Sequence, residues 1–174
     1  MLAFSDISHF ERTGDYLSIL VAAIAVDLFF VVLLFHGYIQ SNALKKWYTK
    51  YQWSAFIADV LSIFLGIALT RFFYPIVFGS FALWKFASLA VAIQIIHDLT
   101  FYAVFSNTPH GYNAMLDFFK EYAREVGASA IKGDGIMMVL TAILSSVLVG
   151  QSLNTNIILL AFGLYLTPYL LNYK

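Results

Sequence analysis

The chain has no cysteine and little charge: Asp, Glu, Lys and Arg together make up 11% of its 174 residues. Without cysteine there is no disulfide, thiolate zinc site, thiol nucleophile or palmitoyl anchor, and the redox compartment leaves no mark on the sequence. Average soluble domains carry roughly 25% charged residues, so the shortage here argues against a water-covered globule. Lys plus Arg and Asp plus Glu number 10 each, giving a formal net charge of +0. No net field draws the chain to nucleic acid. Also missing are the GxSxG elbow, the P-loop, GxGxxG and HExxH. What fills the space is apolar: 61% hydrophobic and 18% aromatic residues, which excludes intrinsic disorder.

The apolar residues come in runs long enough for membrane spans of about 20 residues. Runs at 16–38, 53–73, 84–105, 136–153 and 157–171 predict five spans, the fifth short at 15 residues and needing a locally thinned bilayer. Residues 1–15 lack the basic start and unbroken apolar core of a secretory signal, since Asp6, His9, Glu11 and Arg12 interrupt them. With five spans, Lys45, Lys46, Lys50, Lys120, Arg124, Lys132 and Lys174 fall on one side, and Arg12, Arg71 and Lys85 on the other. The cation-rich side is expected to be cytoplasmic, with the N-terminus outside or lumenal and the C-terminus inside.

Between spans, Lys45, Lys46, Trp47, Lys50 and Trp53 mix cations with aromatics, as expected of a lipid-headgroup anchor. Residues 113–126 predict an amphipathic helix on the cytoplasmic interface. Met115, Phe118, Phe119, Tyr122 and Val126 share one face, and Asp117, Lys120, Glu121, Arg124 and Glu125 the other. Pairs Asp117–Lys120 and Glu121–Arg124 have i,i+3 spacing. The acidic content of that polar face suits docking of a protein better than anionic lipid. In Gly133-Asp134-Gly135 the pattern reads as a turn, with Asp134 capping the fourth span.

An ionisable group inside a span is costly to bury and is a functional candidate for that reason. Asp27, Asp59, His97 and Asp98 qualify. At about 1.5 Å of rise per residue, Asp27 sits near the midplane, Asp59 roughly 9 Å deep, and His97 and Asp98 roughly 11 to 12 Å deep from the same side. Gln94, one turn away, returns to the level of Asp27. Four readings compete: neutral or hydrogen-bonded groups gluing helices, a proton or cation path, a metal site, and a lipid or small-ligand site. The metal reading is opposed by the neighbouring positions of His97 and Asp98, about 100° apart around a helix. Stripes of small and hydroxyl residues (Ala55, Asp59, Ser62, Gly66, Thr70; Thr141, Ser145, Ser152; Asn156, Gly163, Thr167) predict close helix packing. Arg71, Lys85 and His36 lie near span ends and are expected to snorkel to the interface, and His110 to be solvated.

Two stretches carry a resemblance: Ile96-His97-Asp98-Leu99-Thr100-Phe101-Tyr102, and Leu116-Asp117-Phe118-Phe119-Lys120-Glu121-Tyr122-Ala123-Arg124-Glu125-Val126-Gly127 running on to Gly133-Asp134-Gly135-Ile136-Met137-Met138. They resemble uncharacterised multi-pass membrane proteins encoded by large DNA viruses of algae and protists. The resemblance covers about residues 94–140. It implies a protein of a virion's internal membrane or of an infected host-cell membrane, and it brings no activity with it.

The sequence therefore predicts an all-α polytopic membrane bundle, one domain over residues 1–174, with five transmembrane helices and one cytoplasmic interfacial helix. The expected function is non-enzymatic: a structural or assembly component of a membrane complex, a viral one as the resemblance implies, meeting the lipid bilayer, other membrane or capsid proteins, or a second copy of itself. The alternative is a small proton or cation channel or transporter built on Asp27, Asp59, Gln94, His97 and Asp98. The second alternative is an intramembrane metal-dependent enzyme. No cofactor and no nucleic-acid partner are expected.

Overall fold

A computed structural model describes residues 4–173. Lys174, counted above on the cation-rich side, lies outside the described residues. Seven helices follow in order: α1 (Asp15–Phe35), α2 (Asn42–Tyr51), α3 (Trp53–Val77), α4 (Leu83–Asn107), α5 (Ala114–Val126), α6 (Ser129–Leu148) and α7 (Leu153–Leu171). Five of them, α1, α3, α4, α6 and α7, are long and apolar enough to cross a membrane. The protein is an all-helical membrane protein.

α1 is apolar on every side and is the central helix, packing on α3, α6 and α7. A helix without a polar face needs cover all round. α4 lies against α6 and α3, while α7 touches mainly α1 and turns large apolar side chains such as Ile158, Phe162 and Tyr165 outward. α4 does the same with Trp84, Ile96 and Leu99. Lipid is the cover such faces need.

The predicted stripes point inward except at Ser152, which is exposed and lies beyond α6 as the cap of α7. Ala55, Gly66 and Thr70 of α3, Thr141 and Ser145 of α6, and Asn156, Gly163 and Thr167 of α7 are buried. Thr70 and Thr167 donate to carbonyls one turn back, Gly66 O at 2.7 Å and Gly163 O at 2.9 Å. Their hydroxyls therefore satisfy their own helices, and their smallness, rather than cross-helix bonding, brings the helices together.

The boundaries differ from expectation in physical ways. α1 stops at Phe35 because Gly37 takes φ 80°, a left-handed position that suits glycine. α6 begins at Ser129, well before Ile136, so Gly133-Asp134-Gly135 is helix and not a turn. Gly135 is buried where α6 meets α4; a Cβ there would lie 3.7 Å from Val91 Cγ1, so tertiary packing overrides its low helix propensity. α7 has 19 residues and is not short, because Ser152 caps it by accepting from the Thr155 amide at 3.1 Å and polar residues form its first turn.

α5 matches its expected span, with Asn113 accepting from the Met115 and Leu116 amides at 2.9 and 3.1 Å. The unexpected element is α2. Ser41 caps it, and its buried seam of Ala43, Trp47 and Tyr48 faces the bundle. A tight corner at Gln52, φ 44°, joins it to α3.

Candidate functional site

At the lysine-rich end a half-open cavity of about 1050 Å³ lies between the helices. Its walls come from α1, α3, α4 and α6, and α2 and α5 form its mouth. Asp27, Asp59, Gln94, His97 and Asp98 all line it, together with Asp134 and Glu125. Among the described residues no Lys or Arg lines it.

The deepest carboxyl group belongs to Asp27, which is 0% exposed. The Tyr48 hydroxyl donates to its Oδ1 at 3.0 Å, and its Oδ2 has no partner. One residue earlier on α2, the Trp47 indole N–H donates to Asp59 Oδ2 at 2.9 Å. Successive residues of one short helix thus serve carboxyl groups on two different spans. Burial, followed by the charge of Asp27, pushes the Tyr48 phenol well above its usual range and keeps it a donor.

On α4, Gln94 Nε2 donates to Asp98 Oδ1 at 2.7 Å, and His97 Nδ1 lies 3.2 Å from the same oxygen. The 100° offset between neighbours does not keep these side chains apart, since the imidazole folds back over its own helix. His97 is half-exposed toward the cavity, while Asp98 Oδ2 is buried without a partner. Among the described residues no three His, Asp or Glu side chains converge as a metal would require.

Above this level the bundle is filled. A Cβ on Gly66 would meet Met138 Cε at 2.7 Å and Gln94 Oε1 at 3.5 Å, and Ile67, Thr70, Met138, Thr141 and Ala142 are all fully buried. The far end is tied down by Arg71. Expected to snorkel, Arg71 is instead 0% exposed: it pairs with Asp15 Oδ2 at 3.0 Å, donates to the His9 and Arg12 carbonyls, and lies over the Tyr16 ring at 4.4 Å. A cation with a carboxylate within reach is drawn inward, and the N-terminal segment wraps round it.

The mouth is held by charge. Glu125 of α5 accepts from the Ala43 amide at 3.0 Å and the Ser41 hydroxyl at 2.9 Å, placing a carboxylate at the N-terminus of α2. Those two contacts, the amide first, hold the Glu125 carboxyl below its usual range. Glu121 is likewise lowered, by its bond to Lys46 and then by that ammonium's charge. The Gly111 amide, at 2.8 Å, heads the contacts that lower Asp117, and Lys120 lies 3.5 Å from Asp117. Of the five side chains expected to dock a partner, Asp117, Lys120, Glu121 and Glu125 are therefore engaged within the chain. Glu121 pairs with Lys46 where Arg124 was expected.

Within the expected headgroup set, Lys45, Lys46, Lys50 and Trp53 are exposed. Trp47 departs from it. It is 2% exposed and stacked on Phe118, centroids 5.0 Å apart, because α2 turns its aromatic seam inward against α5. Sequence reasoning missed Asp134, Trp47, Tyr48 and the Arg71–Asp15 pair as parts of the polar interior. The chain matches no protein-family profile, no curated protein and no solved structure.

Proposed function

We propose that the chain is a small proton or cation pathway, with Asp27, Asp59, Gln94, His97 and Asp98 as its intramembrane groups. One observation carries this reading: a single cavity collects an imidazole and carboxyl groups from four spans, Asp27 fully buried and Asp59, Asp98 and Asp134 partly so, with no lysine or arginine in its lining among the described residues. Groups of this kind recur where membrane proteins pass protons or cations. The lysine count further supports a cytoplasmic mouth, five crossings and an external or lumenal N-terminus. By this reading the cavity is the inner half of the path, and the packed layer around Met138 is its barrier.

The reading as a structural or assembly component of a viral membrane rests on the resemblance over residues 94–140 and on the polar face of α5. That face has less to offer a partner, since four of its five charged side chains already bind within the chain.

Reconstitution into liposomes with a trapped pH or potassium indicator tests the proposal. Wild-type protein is expected to give a flux that Asp27→Asn and Asp59→Asn each lower at least about tenfold, as loss of a buried charge in the path implies. A wild-type flux that both variants leave unchanged, or no flux at all, overturns it.

A further inference from the structure

We infer that the cavity takes a lipophilic organic cation, a monovalent ammonium or phosphonium carrying alkyl or aryl groups, with Asp27 as its counter-ion. This rests on reading the cavity as a cation site and goes further by naming the class of cation.

Size is the first ground. At about 1050 Å³ the space is that of a small-molecule site, which typically spans roughly 300–1,000 Å³. A proton relay or a dehydrated metal ion needs far less room. Ligand chemistry is the second. A divalent cation of the calcium type calls for six to eight oxygens closing around it, and among the described residues no three acidic or imidazole groups converge. An organic cation needs no coordination shell. It needs one or two carboxylates at a distance and apolar or aromatic walls for its substituents.

Both are present. Tyr48, Phe101, Tyr102 and Tyr122 line the cavity with the carboxyl groups. Asp27 is fully buried, and the Tyr48 hydroxyl occupies one of its oxygens and leaves Oδ2 without a partner. A carboxylate buried in this way is costly to leave without an opposite charge nearby. Among the described residues no lysine or arginine lines the cavity, so a positive charge facing Asp27, where the carboxyl is ionised, would come from a ligand. The aromatic faces then attract the cation's substituents, while a neutral molecule of equal shape gains nothing from Asp27.

Equilibrium dialysis of radiolabelled tetraphenylphosphonium against the full chain in lipid nanodiscs, with empty nanodiscs subtracted, tests the inference. Saturable binding near one per chain is expected. Asp27→Asn should weaken it about tenfold or more, as loss of a facing charge acting through a low-dielectric wall implies. Asp98→Asn, farther out in the cavity, should weaken it less, and gives a second reading should Asp27→Asn fold poorly. Tetraphenylborate, of the same shape and opposite charge, should show no saturable binding. Absence of saturable phosphonium binding, equal affinity in both variants and wild type, or equal saturable binding of the borate overturns the inference. Asp27-dependent proton or potassium flux without phosphonium binding would refute this inference and leave the general pathway standing. Saturable, Asp27-dependent phosphonium binding without flux would do the reverse.

Discussion

The Tyr48 hydroxyl meets Asp27 at 3.0 Å, joining a ten-residue helix at the mouth of the bundle to the middle of its most buried span. Tyr48→Phe removes the one donor that Asp27 has. Leaving a buried polar group unmatched costs about 1–3 kcal/mol, so the variant should unfold earlier in a detergent titration by that amount. In an Asp27→Leu background the same change should cost much less, because the group it satisfies is gone. Equal costs in both backgrounds would mean that the bond contributes nothing.

Arg71→Met and Asp15→Asn should each be among the most damaging single changes in the chain. Breaking a buried pair strands the surviving partner in a dry site, at about 3–5 kcal/mol. The double variant Arg71→Met with Asp15→Leu replaces both charges by apolar volume and should recover most of the loss. Limited proteolysis around Arg12 gives a second check: the singles should be cut faster than wild type, since Arg71 also holds the His9 and Arg12 carbonyls.

Two buried glycines should respond in opposite ways to alanine. At Gly163 a Cβ would sit 2.9 Å from Ile24 Cγ2 on α1. Isoleucine is stiff, so overpacking of about 1–3 kcal/mol outweighs the helix gain of about 0.5–1 kcal/mol. At Gly66 the clash is with Met138 Cε, the end of a flexible side chain. Gly66→Ala should be close to neutral in unfolding midpoint, and Gly163→Ala clearly destabilised. The reverse order would show that the α1–α7 contact yields more easily than the α3–α6 contact.

The clamp between α5 and α2 should fail in acid. Glu125 is held below its usual range by the Ala43 amide and the Ser41 hydroxyl. A depressed folded value means that the attachment is fully present above the unfolded carboxyl's pKa of about 4.3 and is lost as pH falls through the folded one. With Trp53 and Trp84 replaced by Phe, emission from Trp47 reports on the clamp. Between about pH 6 and pH 3, wild-type emission should show an acid step that Glu125→Gln lacks. Glu121 and Asp117 are lowered too and titrate in the same window, so the difference between the two curves isolates Glu125. Superimposable curves would remove Glu125 from the clamp.

The apolar runs were legible because their length marks a membrane-crossing helix without tertiary information. The group around Asp98 was legible too, since Gln94 and His97 are local neighbours on α4. α2 was not read as a helix, although Leu44, Trp47, Tyr48 and Tyr51 recur at helical spacing, because aromatics mixed with lysines describe a headgroup anchor equally well. Asp134 was hidden by its two flanking glycines, which mark a turn in isolation and a close helix contact in the bundle. Arg71 and Asp15 lie 56 residues apart. No local pattern links them, and a lone arginine near a span end gives the same signal whether it reaches out to lipid or in to a carboxylate.

Because Trp47 and Tyr48 are consecutive, a single rigid piece carries the donors for Asp59 and Asp27. A rigid shift of α2 would move both donors together. The Ser41–Glu125 and Lys46–Glu121 contacts hold α2 at the surface, so the closure of the mouth and the pairing of two interior carboxyl groups depend on one and the same short helix.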